Sequence, residues 1–233
     1  MNGRTSSQNL RKRGKSTITT TTSHFIANTY TVSLEDPIGA RNQRITGKSD
    51  CFGTCPLMLE LACHWTFEDF FNLSVVQAYA PASGYGDNEI EEFYDQLQNV
   101  IDQTPKKDIL VVQGDWNAKV GKDVFENWQG ICGPFCNDNA NERGLRLLEF
   151  ATYNDLGLAN TFGYHKASRG WTWHRPNLQH QNQIEYILMR KRFWSGVNSA
   201  RTRSFPGADI GSDHDLPMMT FHFRLKRISK PKH

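Results

Sequence analysis

The stretch Gln113-Gly114-Asp115-Trp116-Asn117 combines a carboxylate that can take a proton with an amide that can donate to an oxyanion. On an extended backbone residues two apart point the same way, so Asp115 and Asn117 can address one ligand while Trp116 points elsewhere. The same spacing also allows a plain Asp-x-Asn turn closed by glycine. A second group, Gly211-Ser212-Asp213-His214-Asp215, sets a carboxylate beside an imidazole just ahead of a strand-like run. A carboxylate behind an imidazole fixes its tautomer and raises its basicity. Tyr79, in Tyr79-Ala80-Pro81, and Glu185, in Gln183-Ile184-Glu185-Tyr186-Ile187-Leu188, complete the set of polar groups at the ends of apolar runs. Taken singly each has a structural alternative: His214 as a surface or cap residue, Tyr79 as a core aromatic with a satisfied hydroxyl, Trp171 and Trp173 as packed strand residues.

These residues need elements that bring them together. Asp108-Ile109-Leu110-Val111-Val112 is a continuous apolar run, as expected of a strand buried on both faces, and it ends at Asp115. Residues 72–81 form another strand, stopped by Pro81. Between them lies a helix, with Asn88 as cap and Glu91 three residues on as the second half of a capping box. Ile90, Phe93, Leu97, Val100 and Ile101 recur on one of its faces. Asn141 caps a second helix in which Leu145, Leu148 and Ala151 share a face, joined by Leu147 and Phe150. Residues 156–160 return to the sheet, and 170–174, 183–188 and 218–225 read as further strands. Met219, Phe221, Phe223 and Leu225 alternate in the last, so one of its faces is buried. Strand, helix and strand in this order give an α/β chain with helices packed across a sheet.

The chain has 233 residues and a net charge of only +3, but its basic residues are unevenly placed. Arg11-Lys12-Arg13, Arg190-Lys191-Arg192 and the C-terminal Lys226, Arg227, Lys230 and Lys232 suit an anionic partner, or simply a solvated face. Residues 1–50, basic and Thr-rich, are expected to be a disordered tail with few contacts to the rest, and 227–233 a basic tail. No apolar run reaches transmembrane length and the first residues lack a hydrophobic signal core, so an intracellular location, nuclear or cytoplasmic and without a membrane, is the expectation. The five cysteines, an odd number, are expected to be reduced thiols. Cys51/Cys55 and Cys132/Cys136 have a wider spacing than the usual zinc knuckle.

In order and spacing, Tyr79-Ala80-Pro81, Gly114-Asp115-Trp116-Asn117, 183–188 and Ser212-Asp213-His214 resemble the endonuclease/exonuclease/phosphatase superfamily. The finer texture of 88–94, 106–121 and 142–150 is similar to the apurinic-endonuclease-like domain of RTE-type non-LTR retrotransposons and the related craniofacial development protein 2-like sequences. The resemblance covers about residues 57–226 and implies a four-layer α/β sandwich of the DNase I type. It further implies cleavage of DNA phosphodiesters with magnesium, or manganese in its place. On that pattern Asp115 orients or deprotonates the attacking water, Asn117 holds the phosphate and Tyr79 contacts it or its leaving oxygen. His214 faces the scissile phosphate, Glu185 orients His214, and Asp213 holds the metal. Trp171, Trp173, Arg190, Lys191 and Arg192 are the nucleic-acid-binding candidates.

The chain departs from the family pattern in two ways. The first lobe, with its strand-borne Asn and metal-binding Glu, is not found ahead of residue 57, so the domain is expected to be incomplete at that lobe and to hold its metal weakly or not at all. Glu185 stands where the family usually has Asp, one methylene longer. Two function classes follow: a retrotransposon-derived endonuclease, or a catalytically inactive nucleic-acid-binding relic of that domain.

Overall fold

The computed structural model describes residues 15–21, 32–33, 44–45, 59–67, 71–137, 139–164, 170–175, 180–202, 213–215 and 217–224, with side chains placed for 72–137, 139–164, 170–175, 180–197, 213–215 and 217–221. In chain order the strands are β1 (Lys15–Thr21), β2 (Val32–Ser33), β3 (Arg44–Ile45), β4 (Leu59–Phe67) and β5 (Phe71–Tyr79). Helix α1 (Asp87–Gln103) leads to β6 (Ile109–Asp115), and α2 (Glu142–Tyr153) to β7 (Leu156–Leu158). The remainder are β8 (Trp173–His174), β9 (Gln181–Asn182), β10 (Glu185–Arg190), β11 (Val197–Thr202) and β12 (Pro217–Arg224).

Two sheets carry the mixed α/β fold. The larger has the order β4-β5-β6-β10-β7, with β5 and β6 parallel and every other pairing antiparallel. The parallel pair requires a crossover, which α1 supplies. The smaller sheet is β1-β12-β11, antiparallel throughout. In the larger sheet alternate residues serve different layers. Val76, Ala78, Leu110, Val112, Tyr186 and Leu188 pack with Phe93, Leu97 and Ile101 of α1 and Leu147, Leu148 and Ala151 of α2. Their neighbours Leu73, Val75, Ile109, Val111, Ile187 and Met189 pack with Met219 and Phe221 of β12. Every residue of β6 is therefore buried, as its unbroken apolar run requires.

Asn141 caps α2, accepting from Gly144 N at 2.8 Å, and also takes the N–H of Lys119 at 2.9 Å. The capping box expected at Asn88 is not formed. Helix α1 starts at Asp87 after Gly86, without a side-chain cap, and Asp87 and Glu89 in its first turn oppose the helix dipole instead. Leu145 is also corrected: it stands exposed at 37 %, because the buried stripe of α2 runs through Leu147, Leu148, Phe150 and Ala151.

In the segment expected to be a tail, Lys15–Thr21 forms β1 and pairs along its whole length with β12. Threonine is β-branched and suits a strand that completes a ladder, which is why a polar run can hold this place. The expectation of few contacts fails for these seven residues. Most of the remainder of 1–50 and the tail at 227–233 lie outside the described residues. Among the described residues no helix is long and apolar enough to cross a membrane.

Candidate active site

The period of two that sorts the core also assembles the site. Tyr79 follows Leu73 and Val75 at even spacing, Asp115 follows Ile109 and Val111, and Glu185 precedes Ile187 and Met189. All three belong to the sheet face turned toward β12. They are also level: Tyr79 pairs with Asp115, and Asp115 with Glu185, in the registers of adjacent strands. His214, three residues before β12, comes from the facing layer, and its Nδ1 bonds Glu185 Oε1. Four groups from four segments converge on one edge of the intersheet core.

Local geometry explains the motif around Asp115. Gly114 has φ of +151°, and a Cβ there would lie 1.8 Å from the carbonyl oxygen of Ala78, its register partner. Only glycine lets the two strands close at this point. Trp116 turns to the helix side, buried against Phe93, with Nε1 donating to Tyr186 O at 3.1 Å. Asn117 then adopts φ of +46°, and its N–H donates to Asp115 Oδ1 at 2.8 Å. The Asp-x-Asn turn is thus real, and it replaces the extended backbone by which the pair was expected to align. Asn117 Nδ2 still reaches the shared place, donating to Ala80 O at 2.9 Å with a long contact of 3.4 Å to Asp115 Oδ2.

Burial shapes the charges. Asp115 is 3 % exposed and its carboxyl is pushed above the usual range by desolvation. Glu185 is pushed up to about 7, by burial first, although His214 favours its charged form. For His214 burial opposes the charge, but the hydrogen bond and charge of Glu185 outweigh it and raise the pKa. Desolvation, then Asp115, raises the Tyr79 phenol. The pair therefore holds a proton near neutrality, with Nε2 of the ring directed away from Glu185.

Asp213 stands at the mouth with a half-exposed side chain, Oδ1 at 3.8 Å from His214 Nε2 and Oδ2 accepting from Trp173 Nε1 at 2.9 Å. Trp173 is thus at the site, and Trp171 lies two residues away along the same chain, half-buried. Asp115, Glu185 and His214 each offer one ligand atom within 4.8 Å of the others, a cluster that could hold a metal ion. With the shared proton on His214 neither ring nitrogen offers a lone pair, so the donors left for a cation are carboxylate oxygens, which suits a hard divalent ion. Cys132 and Cys136 are free thiols outside this cluster.

The basic run Arg190-Lys191-Arg192 sits elsewhere. Arg190 is buried at 8 % exposure, and its guanidinium donates to the carbonyls of Thr104, Pro105 and Asp108. Lys191 pairs with Asp155 at 3.1 Å, and Arg192 donates to Lys106 O and lies over Phe193. Arg190 closes β10 and Lys191 and Arg192 follow it, about 17 Å from Glu185 at ~3.3 Å per residue. They do not flank the site. Residues the sequence reading passed over do: Thr172 binds the N–H groups of Ile184 and Glu185, and Asn160 binds Glu185 O and Ile187 N. Arg143 holds Tyr85 O at 2.9 Å and also Pro81 O, fixing the loop after Tyr79. A threonine between two tryptophans and an asparagine closing a short strand were the available signals.

No protein-family model matches the chain. It is 44 % identical over 160 residues to craniofacial development protein 2 of Bos taurus, an alignment covering 69 % of this chain and 26 % of that protein. The chain thus spans about a quarter of the length of the curated relatives it matches. Among solved structures, it is similar to the Neisseria 3' phosphatase NExo bound to a product DNA hairpin, with TM-score 0.50, 16 % identity, and coverage of 70 % of this chain and 64 % of that one. The endonuclease domain of TRAS1, a telomere-specific non-LTR retrotransposon, gives TM-score 0.49 at 18 % identity, over 70 % of this chain and 63 % of that one. Over 69 % of its length the chain is thus a sequence relative of craniofacial development protein 2, and the four ordered motifs that converge here are those by which it resembles the endonuclease/exonuclease/phosphatase superfamily and the apurinic-endonuclease-like domain of RTE-type elements.

Proposed function

We propose that this site hydrolyses DNA phosphodiesters with magnesium, or manganese, as cofactor, acting in the nucleus or cytoplasm. The observation that carries the reading is the level placement of Tyr79, Asp115 and Glu185 on one sheet face beneath His214. With a phosphate seated there, Asp115, made more basic by burial, takes the proton of the attacking water. The weak 3.4 Å contact of Asn117 Nδ2 to Asp115 gives way to a nonbridging oxygen. His214, kept cationic by Glu185, donates from Nε2 to the phosphate as charge gathers on it. Tyr79 supports the leaving oxygen from the neighbouring strand. The carboxylate of Asp213 would hold the metal, which would neutralise phosphate charge when bound. Trp173 and Trp171 offer faces for bases at the mouth. On the same reading, α1 and α2, the larger sheet and the β1-β12-β11 sheet are three of the four layers of a DNase I-type sandwich.

A catalytically inactive, nucleic-acid-binding relic is the second reading. It is favoured by Glu185, whose longer side chain ties up His214 in a cluster already short of free carboxylates. Relaxation of supercoiled plasmid with magnesium or manganese separates the two. Nicking that His214→Ala abolishes supports the hydrolase; DNA binding without any nicking above background supports the relic.

A further inference from the structure

Thr172 is fully buried and touches both halves of the site through their backbones. Its Oγ1 accepts from Ile184 N at 2.9 Å and Glu185 N at 3.1 Å, and its carbonyl accepts from Asp215 N at 2.7 Å. Its own N–H donates to Asn182 O at 2.9 Å. The next two residues extend the link. Trp173 Nε1 holds Asp213 Oδ2, His174 N donates to Asp213 O at 2.8 Å, and His174 Nε2 lies 2.5 Å from Asp215 Oδ2. One short strand end is therefore bonded to the backbone entering Glu185 on one side, and to both residues flanking His214 on the other.

The geometry points to Thr172 as a positioning residue: it sets Glu185 against His214, with the His174–Asp215 pair closing the same clasp from the far side. Glu185 opens β10 of the larger sheet whereas His214 lies ahead of β12 of the smaller one, and neither sheet's ladder fixes their separation. The clasp does, because a single residue bonds both segments. A valine at 172 keeps the shape but removes the oxygen that two buried N–H groups require, so both must find other partners and the backbone at Glu185 must move. A displacement of about 1 Å at such a pair costs on the order of a hundredfold in rate.

The inference rests on the hydrolase reading only in its kinetic arm, so the decisive measurement is made on the proton shared by His214 Nδ1 and Glu185. In the full chain that proton should give a low-field NMR resonance, identified by its loss in His214→Ala. Thr172→Val is expected to shift or broaden it and to lower kcat about a hundredfold with KM little changed. Thr172→Ser, which retains the oxygen, is expected to restore both. Should Thr172→Val fail to fold, His174→Ala cuts the clasp at a partly exposed residue and is expected to perturb the same resonance. A resonance unmoved in every folded variant overturns the assignment. A resonance that responds as expected in a chain with no nicking activity sustains the clasp and counts against the hydrolase instead.

Discussion

Replacing Gly114 by alanine drives a wedge between the two strands that carry Tyr79 and Asp115. The new Cβ would lie 1.8 Å from Ala78 O, whereas Cβ contacts below 3.0 Å are essentially never seen, so the strands must part by at least about 1.2 Å. The φ of +151° adds backbone strain of about 1–3 kcal/mol, and forcing the packed strands apart costs about as much again. In a chain of this size a loss of about 2–6 kcal/mol lowers Tm by roughly 4–24 °C. The displacement falls at the pair Ala78–Gly114, next to Tyr79–Asp115, so a folded variant should also lose on the order of a hundredfold in nicking rate. Calorimetry and plasmid relaxation on parent and Gly114→Ala provide the two readings. A variant that melts with the parent would refute the steric argument. A destabilised variant with unchanged kcat would show that the close approach of β5 and β6 is irrelevant to the site.

The remaining predictions concern charge. Glu185 and His214 both have folded pKa values raised above their unfolded ones, so the folded state binds more protons and stability should fall as pH rises. The Glu185 part is present below pH ~4.5 and lost toward about 7, on the order of 3 kcal/mol; the His214 part is lost as pH rises through its raised value. Urea titrations at pH 5 and 8 should show this decline in the parent and a much shallower one in Glu185→Gln. Arg190→Ala should cost about 2–4 kcal/mol by orphaning buried carbonyls, while Lys191→Ala and Arg192→Ala should leave the salt dependence of DNA binding unchanged. A reduced salt slope in either surface variant would place DNA at the far end of the sheet.

Alternation along β5, β6 and β10 was legible in the residues themselves, because an apolar run buried on both faces leaves a polar residue at its end conspicuous. Asp115, Glu185 and Tyr79 could be recognised that way, and His214 by its neighbours. Their common face follows from the spacing to Val111, Ile187 and Val75, but the level placement needed the strand registers, which the sequence does not carry. Arg190 misled because a basic triplet looks the same whether solvated or folded back onto carbonyls; the difference lies in the ends of α1 and β6, distant in sequence. The pairing of Lys15–Thr21 with β12 was hidden for a related reason. A strand whose partner lies at the other end of the chain shows no local signature, and threonines read as readily as linker. Thr172 was overshadowed by the tryptophans on either side, since a hydroxyl that caps backbone amides has no pattern of its own.

The division of the four site groups between two layers has a consequence for the newly made chain. Tyr79, Asp115 and Glu185 take their places once the larger sheet forms, whereas His214 arrives only when β12 docks its Met219 and Phe221 onto that sheet. A ribosome would release these pieces in that order, with the imidazole last. Until docking, the nascent sheet displays carboxylates toward solvent with no imidazole to oppose them. Whatever reaction the finished site performs is withheld by topology alone, and the docking of one apolar strand serves as its safety catch.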